Sequence, residues 1–98
     1  MKYSIKPSFL SKNDKKEIIR YLEQYSSTAP VKFKKELKKY LQILNSTPYI
    51  FAVYNTNPEY RHVVVYGSYV LFYTVDDVNK EVFVYRILHG AQDIGNII

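Results

Sequence analysis

Arg86, His89, Gly90 and Asp93 fall within eight positions of one another, in the stretch "EVFVYRILHGAQD" at residues 81–93. Arg61 and His62 stand side by side earlier, with Glu59 just before them. Histidine is the one side chain whose ordinary titration lies near neutrality. Arginine is a permanently charged, planar donor suited to phosphate or carboxylate. A metal-independent nuclease needs a general base, a general acid and a cation at the phosphate. His89, Arg61 and Arg86 have the chemistry for the last two roles, and Glu59 for the first. The same residues fit a strand that merely turns a corner. Gly90 then permits the backbone turn, and Asp93 caps the following turn or pairs with Arg86. The spacing leaves both readings open.

Other chemistries are excluded more firmly. The 98 residues include no cysteine, so there is no thiol nucleophile, no disulfide and no thiolate zinc cluster. Two histidines are a thin basis for a metal site, and none is expected. No serine sits in a nucleophile elbow, and neither a phosphate loop nor a dinucleotide fingerprint occurs, so no cofactor is expected. No apolar run approaches the ~20 residues of a membrane span. "MKYSIKPSFLSKND" lacks the apolar core of a signal peptide. The expectation is a cytoplasmic protein without a membrane partner.

Charge is unevenly spread. Residues 1–44 hold 11 Lys/Arg against 4 Asp/Glu, and residues 45–98 hold 3 against 5. A basic first half suggests an anionic partner, either nucleic acid or an acidic polypeptide. Its densest part is a row at Lys32, Lys35 and Lys39, with Lys34 and Lys38 beside it. The row suits phosphate binding and equally suits the solvated face of a surface helix. Eleven tyrosines are numerous enough to cover a sheet face, stack on bases or anchor an interface.

Those residues must be held by elements that the pattern also shows. "KYSIKP" alternates up to Pro7 and predicts a strand over 2–7. Ile18, Leu22 and Tyr25 predict a helix over 12–26, with Ser11 as N-cap and Asp14 near its positive end. Phe33, Leu37, Tyr40, Leu41 and Leu44 predict a second helix over 29–45, opened by Thr28 and Pro30. The short break between them predicts an antiparallel helical hairpin. "IFAVY" offers a short strand in the loop that follows. Gly67-Ser68 between "RHVVVY" and "YVLFYTV" signals a two-residue hairpin loop, which pairs Tyr66 with Tyr69 and His62 with Tyr73.

That register puts Val63, Val65, Val70 and Phe72 on one face, expected under the helices. It puts Tyr66, Tyr69, His62 and Tyr73 on the other, expected to be open. After the "DDVNK" turn, "EVFVYRILH" is the last strand. The prediction is one two-layer α+β domain over 1–98, ordered β-α-α-β-β-β, with an antiparallel meander and the hairpin packed on one face.

On these residues the chain resembles the RelE/ParE superfamily of type II toxin–antitoxin toxins. The likeness rests on Tyr60-Arg61, Tyr69, "FY" at 72–73, Val75 and the ending "RILHG..D", with a matching layout in the first half. It implies a small bacterial growth-arresting toxin neutralised by a cognate antitoxin, through which alone it would meet operator DNA. The ending is the ParE-like one, which implies DNA gyrase as the target and no hydrolytic step. Gln92 departs from the arginine often found there. A RelE-like alternative implies a ribosome-dependent mRNA endonuclease using His89, Arg61 and Arg86, although no tyrosine follows His89. A third reading is a non-toxic degenerate module that only pairs with an antitoxin. Arg61, His62, Tyr73, Arg86, His89, Gln92 and Asp93 are the expected target- or antitoxin-binding residues.

Overall fold

The computed structural model describes residues 2–98. In chain order it contains β1 (Ser4–Pro7), α1 (Phe9–Glu23), α2 (Ala29–Ser46), β2 (Arg61–Val65), β3 (Tyr69–Asp76), β4 (Glu81–His89) and a single turn of helix, α3 (Ile94–Ile97). The four strands form one sheet in the order β1-β4-β3-β2. The meander β2-β3-β4 is antiparallel, and β1 lies parallel to β4 at the edge. The predicted two-layer α+β order is the observed one.

Helix α1 starts three residues before the predicted point. Pro7 ends the strand, and Ser8 is the N-cap, its Oγ accepting from the Ser11 N–H at 3.0 Å. The same hydroxyl donates to the Tyr85 carbonyl at 2.6 Å. Ser11, the expected cap, is instead buried inside the first turn and bonds back to the Ser8 carbonyl. α2 begins where Thr28 and Pro30 placed it, but the Thr28 side chain makes no cap bond. Ser26 Oγ takes the Thr28 and Ala29 N–H groups. Phe33, Leu37 and Leu44 of α2 are buried against the sheet, as their spacing required. "IFAVY" forms no strand, only an isolated bridge from Val53 to Arg61.

The hairpin register differs from the expected one by one residue. Val65 pairs with Tyr69 and His62 with Phe72, so the loop is Tyr66-Gly67-Ser68. Both Tyr66 (φ 54°) and Gly67 (φ 69°) are left-handed. Glycine adopts that region freely, but tyrosine does not. Tyr66 is held there by Glu36 on α2, whose Oε1 accepts its N–H at 2.8 Å. A one-residue slip exchanges the faces of a whole strand. Val63 and Val65 lie under the helices as expected, but on β3 it is Tyr69, Leu71 and Tyr73 that join them in the core. Phe72 and Val70 therefore lie on the opposite face, with His62. The expected open position of Tyr73 is corrected: it is fully buried, and its hydroxyl donates to the Pro48 carbonyl at 2.6 Å.

A second irregularity lies in β4. Tyr73 pairs with Val84 and Phe72 with Arg86, which leaves Tyr85 as the extra residue of a β-bulge. β1 covers β4 only as far as Val84. Beyond that, α1 covers the strand edge.

Candidate functional site

The bulge and the uncovered edge together decide the surroundings of Arg86. Its Nε and Nη2 donate to the two oxygens of Asp14 at 2.8 and 2.9 Å. The same carboxylate accepts the Ile87 N–H at 3.0 Å, where β1 offers no partner. The Arg86 and Asp14 side chains are only 20% and 11% exposed. Hydrogen bonding to Asp14 holds the guanidinium above its already high ordinary value. Asp14 is thus the partner of Arg86, and the expected Asp93 pairing is not formed. The pair is a structural clamp of α1 onto the sheet.

Arg61 is equally occupied, at another place. Its Nη1 donates to the Phe51 carbonyl at 2.8 Å, and the guanidinium lies 5.0 Å from the Tyr49 ring centroid. It ties down the segment between α2 and β2. Arg20, the remaining arginine of the sequence, bonds Glu17 at 3.0 Å. Every arginine is therefore engaged within the chain.

His89 ends β4 on the helix side, edge-on to Tyr69 at 5.3 Å. Its Nδ1 accepts the Ala91 N–H at 3.0 Å, so a neutral imidazole carries its proton on Nε2. Its own N–H donates to Gln92 Oε1 at 2.7 Å, and the Gly90 N–H donates to the Ser68 carbonyl. Asp93 is the N-cap residue of α3 but makes no side-chain cap bond, contrary to the capping role expected; its carboxylate accepts from the Asn96 side chain. Residues 89–93 thus form a hydrogen-bonded corner. Gly90 makes it without a left-handed φ, so the turn does not depend on glycine there.

His62 lies on the opposite face of the sheet. It stands edge-on to Tyr54 at 5.3 Å and stacks against Phe72 at 6.3 Å. Tyr60 and Tyr85 stack at 5.0 Å on the same layer, and burial raises the Tyr60 hydroxyl pKa. The structure brings His89 and Tyr69 together beside Ile18 and Tyr21, lining a cleft of about 370 Å³ with Glu17. It does not bring His89, Arg61 and Arg86 to one point where a phosphate could sit. Among the described residues, no three His, Asp or Glu side chains gather as a metal ion would require. Nor is any helix among them long and apolar enough to cross a membrane.

Lys32, Lys35 and Lys39 stand exposed on the outer face of α2, as the helical spacing foretold. Sequence reading placed Asp14 only at a helix end and missed its pairing with Arg86, and it missed Glu36 altogether. Both are acidic residues on helices that look solvent-facing by pattern; Asp14 accepts the Ile87 N–H of β4, and Glu36 accepts the Tyr66 N–H of the hairpin loop. It also missed the Tyr60–Tyr85 stack, which depends on the bulge.

The family model described as "ParE toxin of type II toxin-antitoxin system, parDE" matches residues 4–94. No curated protein matches the chain in sequence. The fold is similar to that of a chain from the chromosomal ParDE system of P. aeruginosa, with TM-score 0.71, 17% identity, and coverage of 89% of this chain and 95% of that one. A chain of the intact E. coli RelBE toxin–antitoxin complex aligns with TM-score 0.64 at 21% identity, covering 92% and 99%. A mutant of E. coli toxin RelE in the free state aligns with TM-score 0.66 at 24% identity, covering 99% and 93%. With nearly its whole length matched by the family model and its β-α-α-β-β-β layout matched by these folds, the chain belongs to the ParE toxin family of type II toxin–antitoxin systems.

Proposed function

We propose that the protein arrests growth by binding an essential target, DNA gyrase first, and does not itself cut a substrate. A cognate antitoxin neutralises it. The observation that supports binding over cleavage is the fate of the candidate nuclease groups. Arg86 is committed to Asp14, Arg61 to a carbonyl of its own loop, and the His89 Nδ1 to a corner N–H. Cleavage of a phosphodiester requires an acid or base and a cation converging on the same phosphate. Family membership favours gyrase, since the matching model is that of ParE toxins. An antitoxin partner is favoured by the aligned folds, two of which come from toxin–antitoxin pairs. Exposed Phe9, Leu10, Tyr21 and Tyr25 on and just beyond α1 offer such a partner apolar anchors.

The test uses purified protein free of antitoxin, in two reactions. One is supercoiling by gyrase. The other is translation with ribosomes and a defined mRNA, with cleavage mapped by primer extension. Inhibited supercoiling and intact mRNA are expected, with little change on His89→Ala. New cuts within codons, lost by a factor of about 10²–10⁴ on His89→Ala, would overturn the proposal in favour of an mRNA endonuclease. Neither activity, and no growth arrest on expression, would overturn it in favour of a non-toxic binding module.

A further inference from the structure

We infer that the outer face of α2 is a docking track for the phosphate backbone of duplex nucleic acid, with Lys32, Lys35 and Lys39 as its phosphate contacts. This goes beyond the toxin reading, and nothing in it requires gyrase or the ribosome.

α2 carries five lysines and one glutamate. All five lysines are exposed. Among the described residues, no ion pair reaches any of them, whereas Lys6, Arg20, Lys80 and Arg86 all have acidic partners. Glu36, the one acidic side chain of the helix, turns its Oε1 to the Tyr66 N–H and makes no ion pair with the row, so it offsets only one of the five positive charges. The lysine charge is therefore unpaired by any carboxylate along the helix, the Lys39 ammonium alone lying over a ring, 5.4 Å from the Tyr40 centroid.

Geometry makes the row linear. At 3.6 residues per turn, Lys32, Lys35 and Lys39 fall within about 60° of one another, and Lys32 and Lys39 lie about 10 Å apart along the axis. Two adjoining depressions follow them. One of about 760 Å³ is lined by Lys32, Lys35, Glu36, Lys38, Lys39 and Gln42. The next, of about 410 Å³, shares Lys38 and Gln42 and runs on to Asn45 and Lys2. The result is a shallow basic path along a helix of 18 residues, about 27 Å long.

The lining chemistry selects the occupant. Single strands are held by aromatic rings on which bases stack, and no ring lines either depression. An acidic protein would need apolar or aromatic anchors to bind well, and the larger depression is lined only by charged and amide side chains. Lysine is a point charge without the planar fork that reads base edges. Backbone contacts of this kind position a duplex without reading its sequence, so the track is not an operator-recognition surface.

The test is fluorescence anisotropy of the full chain with labelled 24-base-pair DNA and RNA duplexes, single-stranded oligo-dT and polyglutamate, from 50 to 200 mM salt. Three phosphate contacts predict a log–log salt slope near −2.7, a loss of about 40-fold over that range. Lys32→Gln/Lys35→Gln/Lys39→Gln, with helicity verified by circular dichroism, should weaken duplex binding at least tenfold at 50 mM salt and flatten the slope. A charge-matched control, Lys6→Gln/Arg20→Gln/Lys80→Gln, removes cations that are already paired and should change little. Preference between the DNA and RNA duplexes identifies the source, and binding of either supports the track. No duplex binding at 50 mM salt, equal loss in both triple variants, or tighter binding of oligo-dT or polyglutamate than of duplex would each overturn it.

Discussion

Arg86 lies at 20% side-chain exposure in a two-pronged bond to Asp14, whereas Lys35 stands exposed on α2 with no acidic partner among the described residues. The two regions carry charge of the same sign for different ends. At the edge of β4 the fold has used a cation and a carboxylate to finish a sheet that β1 covers only halfway. On α2 the lysine charge has no acidic partner among the described residues. The difference teaches that residue type alone is a poor guide to a site here. The arginines, which looked like the chemistry, hold the structure together, and the lysines of α2, which suited phosphate binding and a solvated helix face equally, make no ion pair among the described residues.

The sharpest way to break that contrast is Asp14→Ala. It leaves Arg86 largely buried without a partner and frees the Ile87 N–H, so a loss of about 3–5 kcal/mol is expected. Lys35→Ala should change stability by no more than about 0.5 kcal/mol. Urea unfolding of the two variants measures both, and similar losses would erase the distinction.

Tyr73→Phe probes another buried polar group wired to the backbone. It removes the bond to the Pro48 carbonyl and should cost about 1–2 kcal/mol near neutral pH. Burial pushes the Tyr73 hydroxyl up to about 12, against about 10 unfolded. Between those values the unfolded chain has lost a proton that the native state keeps. Stability should therefore hold up to about pH 10 and fall as pH rises towards about 12. The phenylalanine variant should show a shallower alkaline fall, measurable as urea midpoints at pH 8 and 11. An unchanged slope would mean that Tyr73 does not control it.

The smallest effect compares two helix caps. Ser8→Ala should cost about 1 kcal/mol, because its hydroxyl serves both the α1 N-terminus and the Tyr85 carbonyl. Thr28→Ala should cost almost nothing, since its side chain makes no cap bond. Thermal melts of the pair settle it, and a larger loss at Thr28 would contradict the observed capping.

Much of the fold was legible because it depends on local periodicity. The apolar spacing of Phe33, Leu37 and Leu44 defines α2 whatever it packs against, and the later strands alternate as a meander must. The register of the hairpin was not legible. Gly67-Ser68 is a sound two-residue loop by local rules, and the three-residue loop is held by distant groups, Glu36 thirty residues from Tyr66 and the Gly90 N–H on the Ser68 carbonyl. The face of Tyr73 went wrong with it. In the candidate site, the corner at 89–93 was readable as one of two options, and the exposure of the lysine row on α2 followed from its helical spacing. The clamp at Arg86 was not, since Asp14 lies 72 positions away.

Sequence alone determined the helices, the meander, the asymmetry of charge and the absence of thiol chemistry, because each follows from residue type and short-range spacing. Tertiary structure decided which cations are free. Whether a charge is spent or available depends on what the fold places within about 3–4 Å of it. That distance is set by a bulge at Tyr85, an edge left open by β1 and a helix laid across it, none of which has a local signature.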